Sequence, residues 1–409
     1  MFLYGFLSTI IFLIAMPFVF VIRKCIGKPN AGLREKFGFI KSPFNKSDDI
    51  IMLHGVSVGE VIALENLAKK IKETFPNKKL VVTTGTKTGQ EIAIKKYEEI
   101  ADFITYFPFD IPFCVNRFLK RLNPSTVLIA ETEIWPYFAY ACNKRNVPVS
   151  IINGRISDST FNSYLKVKFF FKQVFKNFTA VYTQSVEDKN KYIAVGTDEN
   201  KVEVMGNLKF DVKRKEADIK IGQEGFRVII AGSTHSGEDE IVLKSFKALK
   251  EKHADSKLMI VPRHPQRFED VANLLKSEGL IFGKRSLKNN FDEVDVIMID
   301  TMGELSRLYA LCYIAFIGGS FSSTGGHNPL EASIWEKPVI SGNIVFNFKD
   351  VYKIACDKKC AVIVKTPDEL TSELISFYDN ELKYKTFSNN AKLVFDENKG
   401  AINYVLNKI

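Results

Sequence analysis

Residues 50–60 read Ile50-Ile51-Met52-Leu53-His54-Gly55-Val56-Ser57-Val58-Gly59-Glu60. Four apolar residues in a row are too short for a helix and suit a strand buried on both faces. Gly55 and Gly59 allow a tight turn and close approach of a ligand to backbone N–H groups. Ala63, Leu67 and Ile71 then recur at helical spacing. The stretch is a strand, a turn and a helix: one β-α unit. The same order recurs along the chain, with strands expected at 50–53, 80–84, 103–107, 126–130, 147–152, 180–183 and 202–205, and then at 227–231, 257–261, 294–299, 313–317, 338–341 and 361–364. Alternating strands and helices make parallel sheets joined by right-handed crossovers. The class is therefore α/β, with two Rossmann-like domains and a cleft between them. The polar stretch 211–224, with Lys213, Arg214, Lys215 and Glu216, reads as the linker. The first domain is expected at 30–210 and the second at 225–409. In such sheets ligands sit beyond the carboxyl ends of the strands, so motifs there deserve the closest reading.

The 409 residues are 46% hydrophobic and 25% charged, an ordinary globular composition that excludes disordered, collagenous and disulfide-scaffold classes. Lys and Arg number 57 against 47 Asp and Glu, a net charge of +10. That excess favours anionic partners. No aromatic-basic recognition module accompanies it, so nucleic acid is not the expected partner. The six cysteines are scattered, and only Cys356 and Cys360 are close; reduced thiols in a cytoplasmic body are expected. No residue pattern matches a metal site.

Residues 1–22 contain no charge, and Arg23, Lys24 and Lys28 follow at once. As a helix the run spans roughly 30 Å, the thickness of a bilayer core. It is expected to be an N-terminal transmembrane helix, a single-pass anchor. The positive charge after it puts the body of the chain on the cytoplasmic side of the membrane; with the resemblance given below, this becomes the inner membrane. A buried or interfacial helix is the alternative.

Several motifs lie at expected strand ends. Glu60, in the first turn of its helix, can accept a proton from a hydroxyl or simply complement the helix dipole. Glu131-Thr132-Glu133-Ile134-Trp135-Pro136 follows the strand at 126–130; its carboxylates steady positive charge or cap the next helix. Asn153-Gly154-Arg155 places an arginine able to grip phosphate or carboxylate. After it, Val167, Phe171, Val174, Phe175 and Phe178 form one stripe, while Lys168, Lys172 and Lys176 line up four apart. That helix either lies on an anionic membrane surface or packs its stripe into the core. Gly206-Asn207-Leu208-Lys209 offers Lys209 to a leaving phosphate.

In the second half, Gly232-Ser233-Thr234-His235 precedes a helix opening with Gly237-Glu238. Arg263 and His264, held between Pro262 and Pro265, are placed to meet an anion or a base. Thr301-Met302-Gly303-Glu304 opens a further helix. Gly318-Gly319-Ser320 and Gly325-Gly326-His327-Asn328-Pro329-Leu330-Glu331 surround another helix start, with amides free to cradle a phosphate. Glu331 can hydrogen-bond a ribose hydroxyl.

Taken in order, these motifs resemble the 3-deoxy-D-manno-octulosonic acid (Kdo) transferases of lipid A biosynthesis. The resemblance covers nearly the whole chain. It implies a GT-B fold, with the acceptor in the first domain and the donor in the second. It also implies inverting transfer of Kdo from CMP-Kdo to the 6′-hydroxyl of the tetraacylated lipid A precursor, without metal or cofactor, beside anionic inner-membrane lipids. By motif, Glu60 matches the general base, Glu131 a carboxylate supporting the transition state, and Lys209 a second stabilising group. Arg263, His264, Met302, Gly303, Glu304, Asn328, Pro329, Leu330 and Glu331 match stretches that bind CMP. Tyr137 stands where the family often has Asn, and Gly154 where Ala is common. A GT-B enzyme using a UDP-sugar and another lipid-linked acceptor is the alternative.

Overall fold

A computed structural model describes residues 2–25, 31–211 and 219–409. The chain divides into two compact units, Met1–Asp211 with Asn398–Ile409, and Val212–Glu397. Most of the linker stretch, 212–218, lies outside the described residues.

The first unit is built on a seven-stranded sheet. Its strands are β1 (Ile50–His54), β2 (Lys79–Thr84), β3 (Phe103–Tyr106), β4 (Thr126–Ala130), β5 (Val149–Gly154), β6 (Ala180–Thr183) and β7 (Val202–Val204). Their order is β3-β2-β1-β4-β5-β6-β7, and each pairing is parallel. Alternate residues of β1 enter different cores: Ile50 and Met52 on one face, Ile51 and Leu53 on the other. A strand walled on both faces has no polar side to show, which explains its unbroken apolar run.

The second unit repeats the plan with β8 (Arg227–Thr234), β9 (Ser256–Pro262), β10 (Phe282–Lys284), β11 (Val296–Met298), β12 (Ile314–Ile317), β13 (Val339–Ser341) and β14 (Ala361–Ile363). Their order is β10-β11-β9-β8-β12-β13-β14, again parallel. β10 was not expected. It is a three-residue edge strand around Gly283, too short and too polar to carry a period. In each sheet the chain builds one side from its first strand and then crosses to the other, with β11 inserted between β9 and the edge strand β10. The order therefore reverses between β1 and β4 and between β8 and β12, and ligands of open α/β sheets bind at such points.

The last residues fold differently from the expected 225–409 domain. Asn398–Ile409 returns to the first unit. Asp211 accepts from the N–H groups of Gly400 and Ile402, each at 2.5 Å, and so caps the helix Ala401–Leu406. Ala401, Ile402 and Val405 then join the core beside Val61, Leu64 and Ala68.

Residues Phe2–Cys25 form one helix with Pro17 inside it. Among the described residues no helix is long and apolar enough to cross a membrane, so the expected transmembrane anchor is not supported. One stripe of this helix already has a protein partner. Tyr4 donates to Asp110 Oδ2 at 3.1 Å, Tyr4 packs on Phe170, and Phe12 packs on Phe37 and Phe109. Gly5 is pressed against the Tyr137 ring, where a Cβ would come within 2.8 Å; a tyrosine at 137 is thus accounted for by this contact. The other faces expose Leu3, Phe6, Ile11, Leu13, Ile14 and Phe18.

Candidate active site

The first unit gathers its acidic groups where the strand order reverses. Ser57 caps the helix Val58–Thr74, and its hydroxyl donates to Glu60 Oε1 at 2.8 Å. Val56 N–H donates to Glu60 Oε2 at 2.7 Å. This is a capping box pulled back one residue onto the turn, and it fixes Glu60 at the mouth of β1. Burial pushes the Glu60 carboxyl above its ordinary range; the Ser57 bond opposes this, and the charge of Glu131 adds to it.

Glu131 follows β4 in the left-handed region, φ 57°, a conformation that costs a glutamate about 1 kcal/mol or more. Its N–H donates to Ile152 O at 2.9 Å, and its buried carboxylate accepts from Arg155 Nε at 2.9 Å. Arg155 thus meets a carboxylate of its own chain. Glu133 is pushed up to about 7, by burial first and then by the charges of Glu60 and Glu131. The three carboxylates therefore sense one another.

Neither Glu131 nor Glu133 caps the helix Pro136–Asn143. Asp110 does so from a distant loop, accepting from Tyr137 N–H at 3.0 Å and Phe138 N–H at 2.7 Å. Asn153 Oδ1 accepts from Leu208 N–H at 3.0 Å, which joins the Asn153-Gly154-Arg155 motif to the turn Leu208–Phe210. Lys209 stands on that turn, beside the helix carrying Glu60. Its ammonium forms no ion pair among the described residues. The structure shows no bond between Lys209 and Glu60 or Glu131. His54 is a core residue. It stacks on Phe107 at 4.0 Å, and burial lowers its pKa to about 3.

The second unit corrects one expectation. The amides of Gly319, Ser320 and Phe321 do not stand open for a phosphate. They donate to the buried Glu238 carboxylate at 2.7, 2.8 and 2.9 Å, and His235 N–H joins them at 2.9 Å. Glu238 comes from the neighbouring strand end, a contact invisible in local sequence. The second glycine pair is also engaged: Gly326 N–H donates to Gly319 O at 2.7 Å. The helix after it, Leu330–Ser333, has one turn only, so its dipole is small. Asn328 Oδ1 accepts from Leu330 N–H at 3.1 Å; Pro329 precedes that turn and Glu331 lies within it.

Three histidines meet instead. His235 Nε2 lies 2.9 Å from His327 Nε2, and the His264 ring stands edge-on 5.3 Å from His235. Burial first, then His235 and the Arg263 charge, lower the His327 pKa to about 4. Arg263 and His264 are exposed on the loop after β9. Met302 is exposed and Gly303 is left-handed, φ 84°. Glu304 is held by Arg285 Nε at 3.0 Å and Thr301 Oγ1 at 3.1 Å. Among the described residues no group of three His, Cys, Asp or Glu is placed to hold a metal ion.

Residues 31–212 match the family model described as 3-deoxy-D-manno-octulosonic-acid transferase (kdotransferase). The 3-deoxy-D-manno-octulosonic acid transferase of Haemophilus influenzae is 33% identical over 383 residues, 91% of this chain and 90% of that protein. The chain belongs to the Kdo transferase family. The C-terminal CMP-Kdo binding domain of WaaA from Acinetobacter baumannii aligns at 27% identity with 42% of this Kdo transferase and 90% of that domain, with a TM-score of 0.41. A putative UDP-N-acetylglucosamine 2-epimerase from Listeria monocytogenes shares the fold: TM-score 0.52, 15% identity, 88% of this chain and 95% of that one.

Within this Kdo transferase, sequence reading passed over Asp110, Glu238 and the His235–His327 pair as working groups. Asp110 carries no motif around it. The other three lay inside quoted motifs, but what they touch is set by neighbouring strand ends.

Proposed function

We propose that this Kdo transferase moves Kdo from CMP-Kdo to the 6′-hydroxyl of the tetraacylated lipid A precursor, with inversion and without a metal. The observation that carries the reading is Glu60: a buried carboxylate, raised in pKa, fixed at the reversal point of the first sheet and coupled to Glu131. A hydroxyl is a poor nucleophile until its proton is taken, and a carboxylate is a better base the closer its pKa lies to the working pH. Glu60 takes that proton. The departing CMP leaves an oxocarbenium-like centre, which Glu131 steadies. Lys209 offsets the charge growing on the phosphate. Arg263, His264, Met302–Glu304 and Asn328–Glu331 bind the CMP moiety.

The protein works at the cytoplasmic face of the inner membrane. The exposed apolar faces of the helix Phe2–Cys25 support attachment in the plane of the interface, with the packed stripe turned toward the body. The deciding experiment is incubation of the detergent-solubilised protein with CMP-Kdo and the lipid A precursor, with and without EDTA, followed by mass spectrometry of the lipid. A gain of Kdo mass in both samples is the expected result. No gain with CMP-Kdo, and a gain with a UDP-sugar, overturns the donor assignment.

A further inference from the structure

Away from the carboxylates, the first unit carries a pocket of about 490 Å³ lined by Lys168, Lys172, Lys176 and Lys201 together with Thr197 and Asp198. Four lysines and one aspartate line it. That carboxylate is already engaged, since Asp198 Oδ1 accepts from Asn200 N–H at 3.0 Å. Lys201 is held in place by its bonds to Phe178 O at 2.8 Å and Lys176 O at 3.3 Å. Lys168, Lys172 and Lys176 form no ion pair among the described residues. Concentrating lysines without ion-pair partners in one concavity raises the local potential and draws anions to it.

The second observation is Thr197. Its residue is only 5% exposed, and its hydroxyl is buried without a hydrogen-bond partner. A buried hydroxyl left unpaired costs about 1–3 kcal/mol. An acceptor oxygen placed in the pocket satisfies Thr197 and the lysines together. Gly196 supports this geometry: with φ 112° it lets the chain pass the Lys172 stem, where a Cβ would come within 2.9 Å.

The surroundings select the source of that oxygen. Phe169 is 77% exposed on the same helix, Lys168–Phe175, and Leu165 and Val167 are exposed just before it. The neighbouring residue Phe170 packs on Tyr4 of the amino-terminal helix, whose outer faces are apolar. A basic pocket on a helix that also exposes apolar side chains fits a phosphate whose ester is embedded in lipid, rather than a phosphate free in water.

We propose that this pocket seats the phosphate headgroup of an anionic membrane phospholipid. The inference rests on the membrane location given above and adds a defined headgroup site to it. Lys168, Lys172 and Lys176 supply the charge, Lys201 closes the pocket floor, and Thr197 donates its hydroxyl to a phosphate oxygen. Phe169, exposed on the same helix, enters the acyl boundary.

The test is flotation of the full chain with phosphatidylcholine vesicles, plain or containing one-fifth phosphatidylglycerol. Wild-type protein is expected to bind the anionic vesicles more tightly. Lys168→Gln/Lys172→Gln/Lys176→Gln should weaken that binding at least tenfold, and Thr197→Val, which changes no charge, about threefold. Lys95→Gln/Lys353→Gln/Lys385→Gln removes the same charge from elsewhere and should change it less than twofold. Equal loss in the two triple variants, or no effect of Thr197→Val, leaves only diffuse attraction and overturns the site. Full competition by millimolar inorganic phosphate at constant ionic strength makes it a site for free phosphate and overturns the lipid assignment. Kdo transfer measured in detergent on the same samples is expected to be unchanged in every variant. Absent transfer in wild type would indict the enzymatic reading alone, because the vesicle measurement does not depend on it.

Discussion

At the residue scale the burial of carboxylates governs what can be measured. In Glu60→Gln the single amide oxygen can accept from Ser57 or from Val56 N–H but not both, so the turn loses one bond as the proton acceptor is lost. Transfer should fall 10²- to 10⁴-fold, about the worth of a positioned base, with CMP binding retained by calorimetric titration. Because the Glu60 pKa is raised, wild-type activity should decline as pH falls through that raised value. Glu133 gives a stability prediction of definite sign. Its ordinary value is 4.5 and its folded value about 7, so between these the folded state holds the extra proton. Its contribution favours folding below pH 4.5 and is lost as pH rises toward 7. Glu133→Gln should therefore melt higher than wild type at pH 8 and equal to it near pH 4. His54 works oppositely: neutral when folded, it costs stability as pH falls below 6.5 toward its folded value of about 3.

At the scale of elements, Asp110 is the joint. One carboxylate caps the helix Pro136–Asn143 and receives the Tyr4 hydroxyl of the amino-terminal helix. Asp110→Ala leaves two buried N–H groups without their acceptor. The expected loss is about 1–3 kcal/mol, or roughly 2–10 °C in melting temperature for a unit of this size, read by differential scanning calorimetry. Tyr4→Phe breaks only the tie to the amino-terminal helix, so it should leave the melting temperature nearly unchanged while that helix becomes more open to proteolysis.

At the scale of the molecule, the chain leaves the first unit at Asp211 and ends in it again. Removing 398–409 strips Ile402, Val405 and Ala401 from the core beside Val61 and Leu64. Burial of a Val or Ile side chain contributes about 1.5–3 kcal/mol. The deletion should lower the melting of the first unit by about 10 °C and leave the second unit's transition in place. Asp211→Ala removes only the cap, about 1–2 kcal/mol, and should reproduce a small part of that shift.

Thirteen of the fourteen strands among the described residues, the two repeated sheets and the location of Glu60, Glu131 and Lys209 near strand ends were legible in the chain itself. The reason is that a strand buried on both faces writes a continuous apolar run, and a turn into a helix writes its own glycine and cap. These are local signals, set within ten residues. What only the tertiary structure decided lies between segments that local patterns cannot join. The Gly319 and Ser320 amides look open until Glu238 arrives from the next strand end. Glu133 is an ordinary glutamate until Glu60 and Glu131 surround it. The stripe Phe171, Val174 and Phe175 is buried in the core, while the lysines between its turns line a pocket only because Thr197 and Lys201 lie against them. The apolar start of the chain reads as a membrane span because sequence hydropathy cannot record that Tyr4, Gly5 and Phe12 have partners in the body. Periodicity reports how much of an element is buried; which group it is buried against depends on contacts between segments far apart in the chain, 81 residues for Glu238 and Gly319 and 106 for Tyr4 and Asp110.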